Sequence, residues 1–322
     1  MRPSSLFLVA VAIWGTTWVA IKAQIAATTP EIGVALRFSL AAAVVLGYCA
    51  VRRISLRVPP RTHALLALVG ALGFSLSYLF VYHAERFIVS GLVAVGYSAA
   101  PLVNLVLARL LLGTPMSRRV AVGGALGLLG IVLIFWPEFA RLQAGGPLLA
   151  GAALTAAAVL ASCVSNIGMA RVQAGGLRGW APLAIGMSYG AAVSWLAVLL
   201  LGQPLAVAWS LPFAASLAYL ALAGSVLAFA AYYALLGKVG PARAAYVGVM
   251  STVVALLVSA AFEGYDWRLA TFVVIALAVA GNVLALQPGR QDRSAGTGGA
   301  ARPTPSASTK PAGASAASSA AT

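Results

Sequence analysis

The stretch GLVAVGYSAAPLVNLVLARLLLG, Gly91–Gly113, decides the fold. It is long and apolar enough to cross a bilayer, which takes roughly 20 residues as a helix. Yet it holds Pro101, which removes a backbone donor, and the amide of Asn104. In lipid every backbone polar group needs a partner, so a span with a proline must border other helices or a wet cavity. The stretch therefore reads as one helix of a bundle. Tyr97, Pro101, Asn104 and Ala108 recur at i, i+4, i+7 and i+11 and share a face.

The rest of the chain follows the same pattern. Of 322 residues, 61% are hydrophobic and 8% charged, with a mean hydropathy of +0.96. Soluble domains carry about a quarter charged residues. The fold class is therefore an all-α integral membrane protein. Ten apolar runs predict ten transmembrane helices, at about 5–23, 31–51, 64–83, 87–110, 120–137, 148–170, 181–202, 212–236, 241–262 and 268–287. Short connections make them one compact bundle without an inserted soluble domain. Arg2 ahead of the first run resembles a signal peptide, but the run's length, Trp14 and Trp18 favour a retained helix.

The net charge of +15 sits in clusters between the runs, not on one folded surface, so nucleic acid is not an expected partner. With the N-terminus inside, the inner connections carry Arg52, Arg53, Arg57, Arg61, Arg118, Arg119, Arg171, Arg178, Lys238 and Arg243. The outer ones carry Lys22, Arg86, Arg141 and Arg268. This bias places both termini in the cytoplasm, with the chain in the cytoplasmic (inner) membrane. Cys49 and Cys163 lie inside apolar runs and read as packing residues, while His63 and His83 lack further ligands at metal spacing. Neither a metal nor a cofactor is expected.

Shifting the chain on itself by 151 residues lays Pro101 on Thr252, Gly113 on Gly264 and Gly130 on Gly281. Val132 falls on Val283, Leu133 on Leu284, Tyr82 on Tyr233 and Ala94 on Ala245. One offset across several helices implies a repeat, with halves 1–146 and 147–288. Five helices per half is an odd number, so the second half enters the membrane inverted. Inverted repeats with a site at their interface characterise secondary transporters. From Pro288 onward Ala, Ser, Gly, Pro and Thr dominate, and residues 289–322 read as a disordered cytoplasmic tail.

Several motifs resemble EamA-type permeases of the drug/metabolite transporter superfamily. They are IWGTTWVAIK at 13–22, Pro30 followed by Arg37 and Phe38, ARLLLGTP at 108–115, and RAAYVGVMSTVVALLVSAAFEGYDW at 243–267. Thr114 stands where the family has an acid, Thr252 where it has a proline, and Glu263 precedes Gly264 instead of following it. The resemblance covers residues 1 to about 287 and implies ten helices in two inverted five-helix repeats. It also implies a cavity lined by the first, third, fourth, sixth, eighth and ninth helices. The implied function is secondary transport, as an exporter of small metabolites such as amino acids.

Polar and aromatic stripes on those helices supply the substrate-binding candidates: Trp14, Trp18, Tyr78, Tyr97, Asn104, Asn166, Tyr232 and Tyr246. Met250 and Val253 share the stripe of Tyr246, and Ser75 and Tyr82 that of Tyr78. Each polar residue could instead join neighbouring helices, and Tyr82, Trp136 and Trp267 read better as interface anchors. Arg37 and Pro101 are helix-end or gating candidates. Arg37 is expected to snorkel outward or pair with Glu31 or Glu85, with a substrate carboxylate as its other possible partner. Lys22 and Arg109 are expected to snorkel. Gly123–Gly127 and Gly186–Gly190 suggest close packing within the chain more than a dimer face, so a monomer or weak homodimer is expected.

No Asp or Glu falls near the middle of a span, which disfavours pumps built on a buried first-helix acid. No catalytic constellation appears, so the chain is not read as an enzyme. A lipid scramblase or receptor is the rival class. The expected partners are a small-molecule substrate and the lipid bilayer.

Overall fold

The computed structural model describes residues 1–115, 118–126, 129 and 146–262, and positions 272, 273, 276, 277, 280 and 281. Among them all regular structure is helical, and eight helices are long and apolar enough to cross a membrane. They are α1 (Pro3–Ile25), α2 (Pro30–Val51), α3 (Pro60–Ala84) and α4 (Ser90–Leu112). The others are α5 (Pro147–Ala174), α6 (Trp180–Leu200), α7 (Leu211–Val239) and α8 (Pro241–Val258, continuing to Phe262). Helices α5 to α8 are the expected sixth to ninth spans. Residues 118–126 are also helical, but most of the expected fifth and tenth spans and the whole tail fall outside the described residues.

Sequence sets the helix ends. Pro3, Pro30, Pro60, Pro147 and Pro241 each open a helix, where proline's missing N–H leaves no bond unmade. Gly113 closes α4 with φ 67, and Gly240, with φ 81, lets α7 turn directly into α8.

Helix α1 packs along α7 and α8, while α5 packs along α3 and α4. Helix α2 lies on α6 and on the middle of α7, and α3 also lies on α6. The α3–α6 approach is close because both sides are small. A Cβ added at Gly70 would stand 2.9 Å from the backbone N of Gly190, and Gly186 and Gly190 lie against Phe74. That glycine pair therefore joins two helices of the same chain.

Three spans are irregular. Helix α3 widens into a π turn at Leu72–Leu76, and α7 does so at Leu220–Leu227. Helix α4 tightens into a 3-10 turn at Tyr97–Ala99. Pro101 explains the last. It cannot donate to the Tyr97 carbonyl, and the tighter turn lets the Ala100 N–H take that carbonyl instead. The carbonyl that the proline leaves is satisfied by its own helix, without a neighbouring side chain.

Candidate functional site

Helices α1, α3, α4, α5, α7 and α8 enclose a central cavity of about 100 Å³, enough for several waters or one small solute. These are the six helices that the resemblance implied. From α1 come Trp14, Thr17, Trp18 and Ile21, and from α3 come Gly73, Tyr78 and Val81. Helix α4 gives Tyr97 and Ala100, while α5 gives Ser162, Ser165 and Asn166. Helix α7 contributes Phe229, Tyr232 and Tyr233, and α8 contributes Ala245, Gly248 and Ser251. None of these residues carries a formal charge.

The aromatic wall is held by edge-to-face and tilted ring contacts. Trp14 meets Phe229 at 4.9 Å and Tyr232 at 5.0 Å between ring centres, and Trp18 meets Tyr97 at 5.6 Å. Such pairs add roughly 0.5–1.5 kcal/mol each beyond burial, so the wall is stiff. The Trp14 indole donates to the Gly224 carbonyl at 3.0 Å, within the α7 π turn. On the opposite side the Ser165 hydroxyl donates to the Val69 carbonyl at 3.0 Å and lies against Gly73, at the α3 π turn. At each π turn a side chain from a facing helix donates to the irregular helix: Trp14 to Gly224 within the turn, and Ser165 to Val69 just ahead of it.

Six sequence candidates come together on this wall: Trp14, Trp18, Tyr78, Tyr97, Asn166 and Tyr232. Asn104 and Tyr246 do not. The Asn104 amide, fully buried, donates to the Ala100 carbonyl at 2.9 Å and to Cys163 Sγ at 3.0 Å, joining α4 to α5. The Tyr246 hydroxyl turns the other way and donates to the Val120 carbonyl at 3.1 Å, in space that Gly123 leaves open. Pro101 is buried but off the wall, where Ala100 stands instead.

Local breaks in helical register accompany these displacements: the 3-10 turn at Tyr97–Ala99 precedes Pro101 and Asn104 on α4, and α8 is interrupted at Ala245, just before Tyr246. Beyond the α3 π turn Tyr78 and Val81 face the cavity, while Tyr82 donates to Gln24 Oε1 at 2.6 Å and is not an interface anchor. Ser75 accepts from Ser194 on α6 at 2.8 Å. On α8 the facing stripe is Ala245, Gly248 and Ser251, one register from the expected Tyr246, Met250 and Val253. Small residues give no sequence signal for a cavity, and these were missed.

Arg37 does not snorkel, and among the described residues no acid pairs with it. It is 1% exposed, and its Nε donates to Ser225 Oγ at 3.0 Å. Glu31 lies instead 2.7 Å from His83 Nε2. Lys22, half-buried in the last turn of α1, donates to the Glu85 carbonyl in the α3–α4 connection at 2.7 Å. Arg109 is exposed near the end of α4.

Five pairs of wall residues stand 151 positions apart: Trp14 and Ser165, Tyr78 and Phe229, Val81 and Tyr232, Tyr97 and Gly248, Ala100 and Ser251. The glycines of the two π turns, Gly73 and Gly224, keep the same spacing.

The EamA-like transporter family profile matches residues 2–136. The chain is 30% identical over 261 residues to "Uncharacterized inner membrane transporter YedA" of Escherichia coli (strain K12), covering 78% of this chain and 80% of that protein. It is 27% identical over 257 residues to "Protein PecM" of Dickeya dadantii (strain 3937), again covering 78% and 80%. An "Uncharacterized transporter" of Archaeoglobus fulgidus is 29% identical over 147 residues, 44% of this chain and 50% of that one. A crystallographically solved protein chain shares the fold with a TM-score of 0.66, at 19% identity, over 88% of this chain and 96% of that chain. The chain belongs to the EamA-like transporter family and is a multi-pass membrane protein.

Proposed function

From that membership, we propose that the chain is a secondary transporter exporting small metabolites, such as amino acids, across the inner membrane around the central cavity. The observation that carries the reading is the wall itself. Six helices meet at a polar-aromatic cavity, and five pairs of lining residues keep the 151-residue offset that the sequence shows elsewhere. Crossings that exchange partners support two inverted five-helix repeats, 1–146 and 147–288, because α1 sits on α7 and α8 as α5 sits on α3 and α4. Two related halves that rock against each other give alternating access to such a cavity. The arginine distribution supports cytoplasmic termini, followed by a cytoplasmic tail at 289–322.

The test is reconstitution of the full chain into liposomes, with flux of amino acids and related amphipathic solutes followed over time. Saturable flux above that of empty vesicles is expected. Movement of a fluorescent lipid between leaflets in the same vesicles, without solute flux, would replace the carrier with a scramblase.

A further inference from the structure

We propose that the cavity takes solutes bearing a carboxylate, and that Arg37 holds that group. The proposal rests on the carrier reading above and specifies its substrate class. Arg37 lies about 10 Å along α2 from its first residue, at 1.5 Å per residue. A cation at such depth is expensive and normally has an anionic partner. Among the described residues no carboxylate pairs with it.

Its contacts orient the guanidinium without neutralising it. Nε donates to Ser225, and the charged carbon sits 4.4 Å from the Tyr78 ring centre and 5.4 Å from that of Phe38. Nη1 is buried with no hydrogen-bond partner. Hydroxyl and ring contacts hold the plane in place, and an uncompensated donor and a whole positive charge are left over.

Position ties that charge to the cavity. Tyr78 is part of the wall, so Arg37 stands one ring behind it. On the other side the wall residue Thr17 rests on Gly224, and a Cβ there would stand 3.3 Å from Arg37 Nη2 and 2.8 Å from Thr17 Cγ2. With no side chain at Gly224, nothing bulkier than the glycine backbone stands between that face of the guanidinium and Thr17. The indole Nε1 of Trp18, on the wall, is a second buried donor without a partner. Both unmet groups donate, so the complementary solute must accept. A carboxylate does so with two oxygens, which match the guanidinium fork. With its acid at Arg37, an aromatic or aliphatic body would lie against Trp14, Phe229 and Tyr232.

The experiment uses the purified full-length chain and matched acid–amide pairs: acetate with acetamide, benzoate with benzamide, N-acetylphenylalanine with its amide. Binding is read from tryptophan fluorescence, since Trp14 and Trp18 line the cavity, and from the unfolding temperature. At least one acid should bind about tenfold or more tightly than its amide, as expected of a charge-assisted bond. Arg37→Gln should abolish that preference, and Arg37→Lys should keep a weaker one. Acids and amides binding alike in the wild-type chain, or an Arg37→Gln protein that still prefers acids, would overturn the proposal. If Arg37→Gln does not fold, the wild-type comparison and Arg37→Lys decide it. Flux of the same pairs in liposomes separates the two readings. Acid-selective binding without flux would strike the carrier and leave the anion site. Flux without charge preference would do the reverse.

Discussion

Two crossings in this protein use one backbone device with different side chains. Where α7 widens into its π turn, a large indole from α1 donates to Gly224. Where α3 widens, a small hydroxyl from α5 donates to Val69 and sits on Gly73. The donors, Trp14 and Ser165, are 151 apart, and so are the two glycines. Spacing and backbone are thus kept while side-chain volume is not. Such a frame gives six helices a common centre and lets the two walls differ, which an asymmetric solute requires.

The comparison can be broken most severely at Gly70, two residues before the α3 π turn. A Cβ on Gly70 would meet the backbone of α6, at the Gly186 carbonyl and the Gly190 N. The position 151 further on is Ala221, which already carries that methyl and is fully buried. Backbone cannot retreat as a side chain can. Gly70→Ala is expected to destabilise the protein by about 1–3 kcal/mol, seen as a lower unfolding temperature in detergent. Ala221→Gly should lose only about 0.5–1 kcal/mol, the helix penalty of glycine. Equal effects would mean that the two crossings are equally tight.

A smaller effect tests the two donors. Trp14→Phe keeps a ring against Phe229 and Tyr232 but loses the bond to Gly224. Ser165→Ala loses the bond to Val69. Each should lower stability by about 1 kcal/mol. Only Trp14→Phe also reshapes the aromatic wall, so only it should alter which solutes protect the protein from thermal unfolding. If Ser165→Ala shifts that preference as strongly, the walls share recognition more evenly than their volumes suggest.

Much of this was legible in the sequence because bulky residues announce themselves. Trp14, Trp18, Tyr78, Tyr97 and Tyr232 are large, mid-span and helically spaced, and the structure places all five on one wall. The resemblance to EamA-type permeases implied the six helices that enclose the cavity. What stayed hidden has physical causes. Tyr82 lies about one turn beyond Tyr78, yet its hydroxyl goes to Gln24 on α1, a partner that spacing along one helix cannot show. Gly73, Gly248 and Ala100 shape the cavity by having little side chain, and no pattern of size marks them. Arg37 looked like a residue that reaches for water, because spacing along α2 cannot show that Tyr78 and Ser225 close over it.

The smallest expected effect belongs to Asn104, whose amide in an apolar helix first suggested a wet, ligand-binding face. Pro101 makes the local backbone unusual, but the 3-10 turn already supplies the Tyr97 carbonyl with the Ala100 N–H. Asn104 then folds back onto the Ala100 carbonyl and across to Cys163, which fastens α4 to α5 behind the wall. Hydrogen bonds between membrane helices average about 0.6 kcal/mol, and Asn104→Ala should lower stability by about that amount. Solute affinity should stay unchanged, because no atom of Asn104 reaches the cavity lining. A several-fold loss of affinity at normal stability would mean that the amide turns inward when the cavity is occupied. The α4 face carrying Pro101 and Asn104 would then belong to the site, and the division between a conserved frame and a variable wall would fail at that helix.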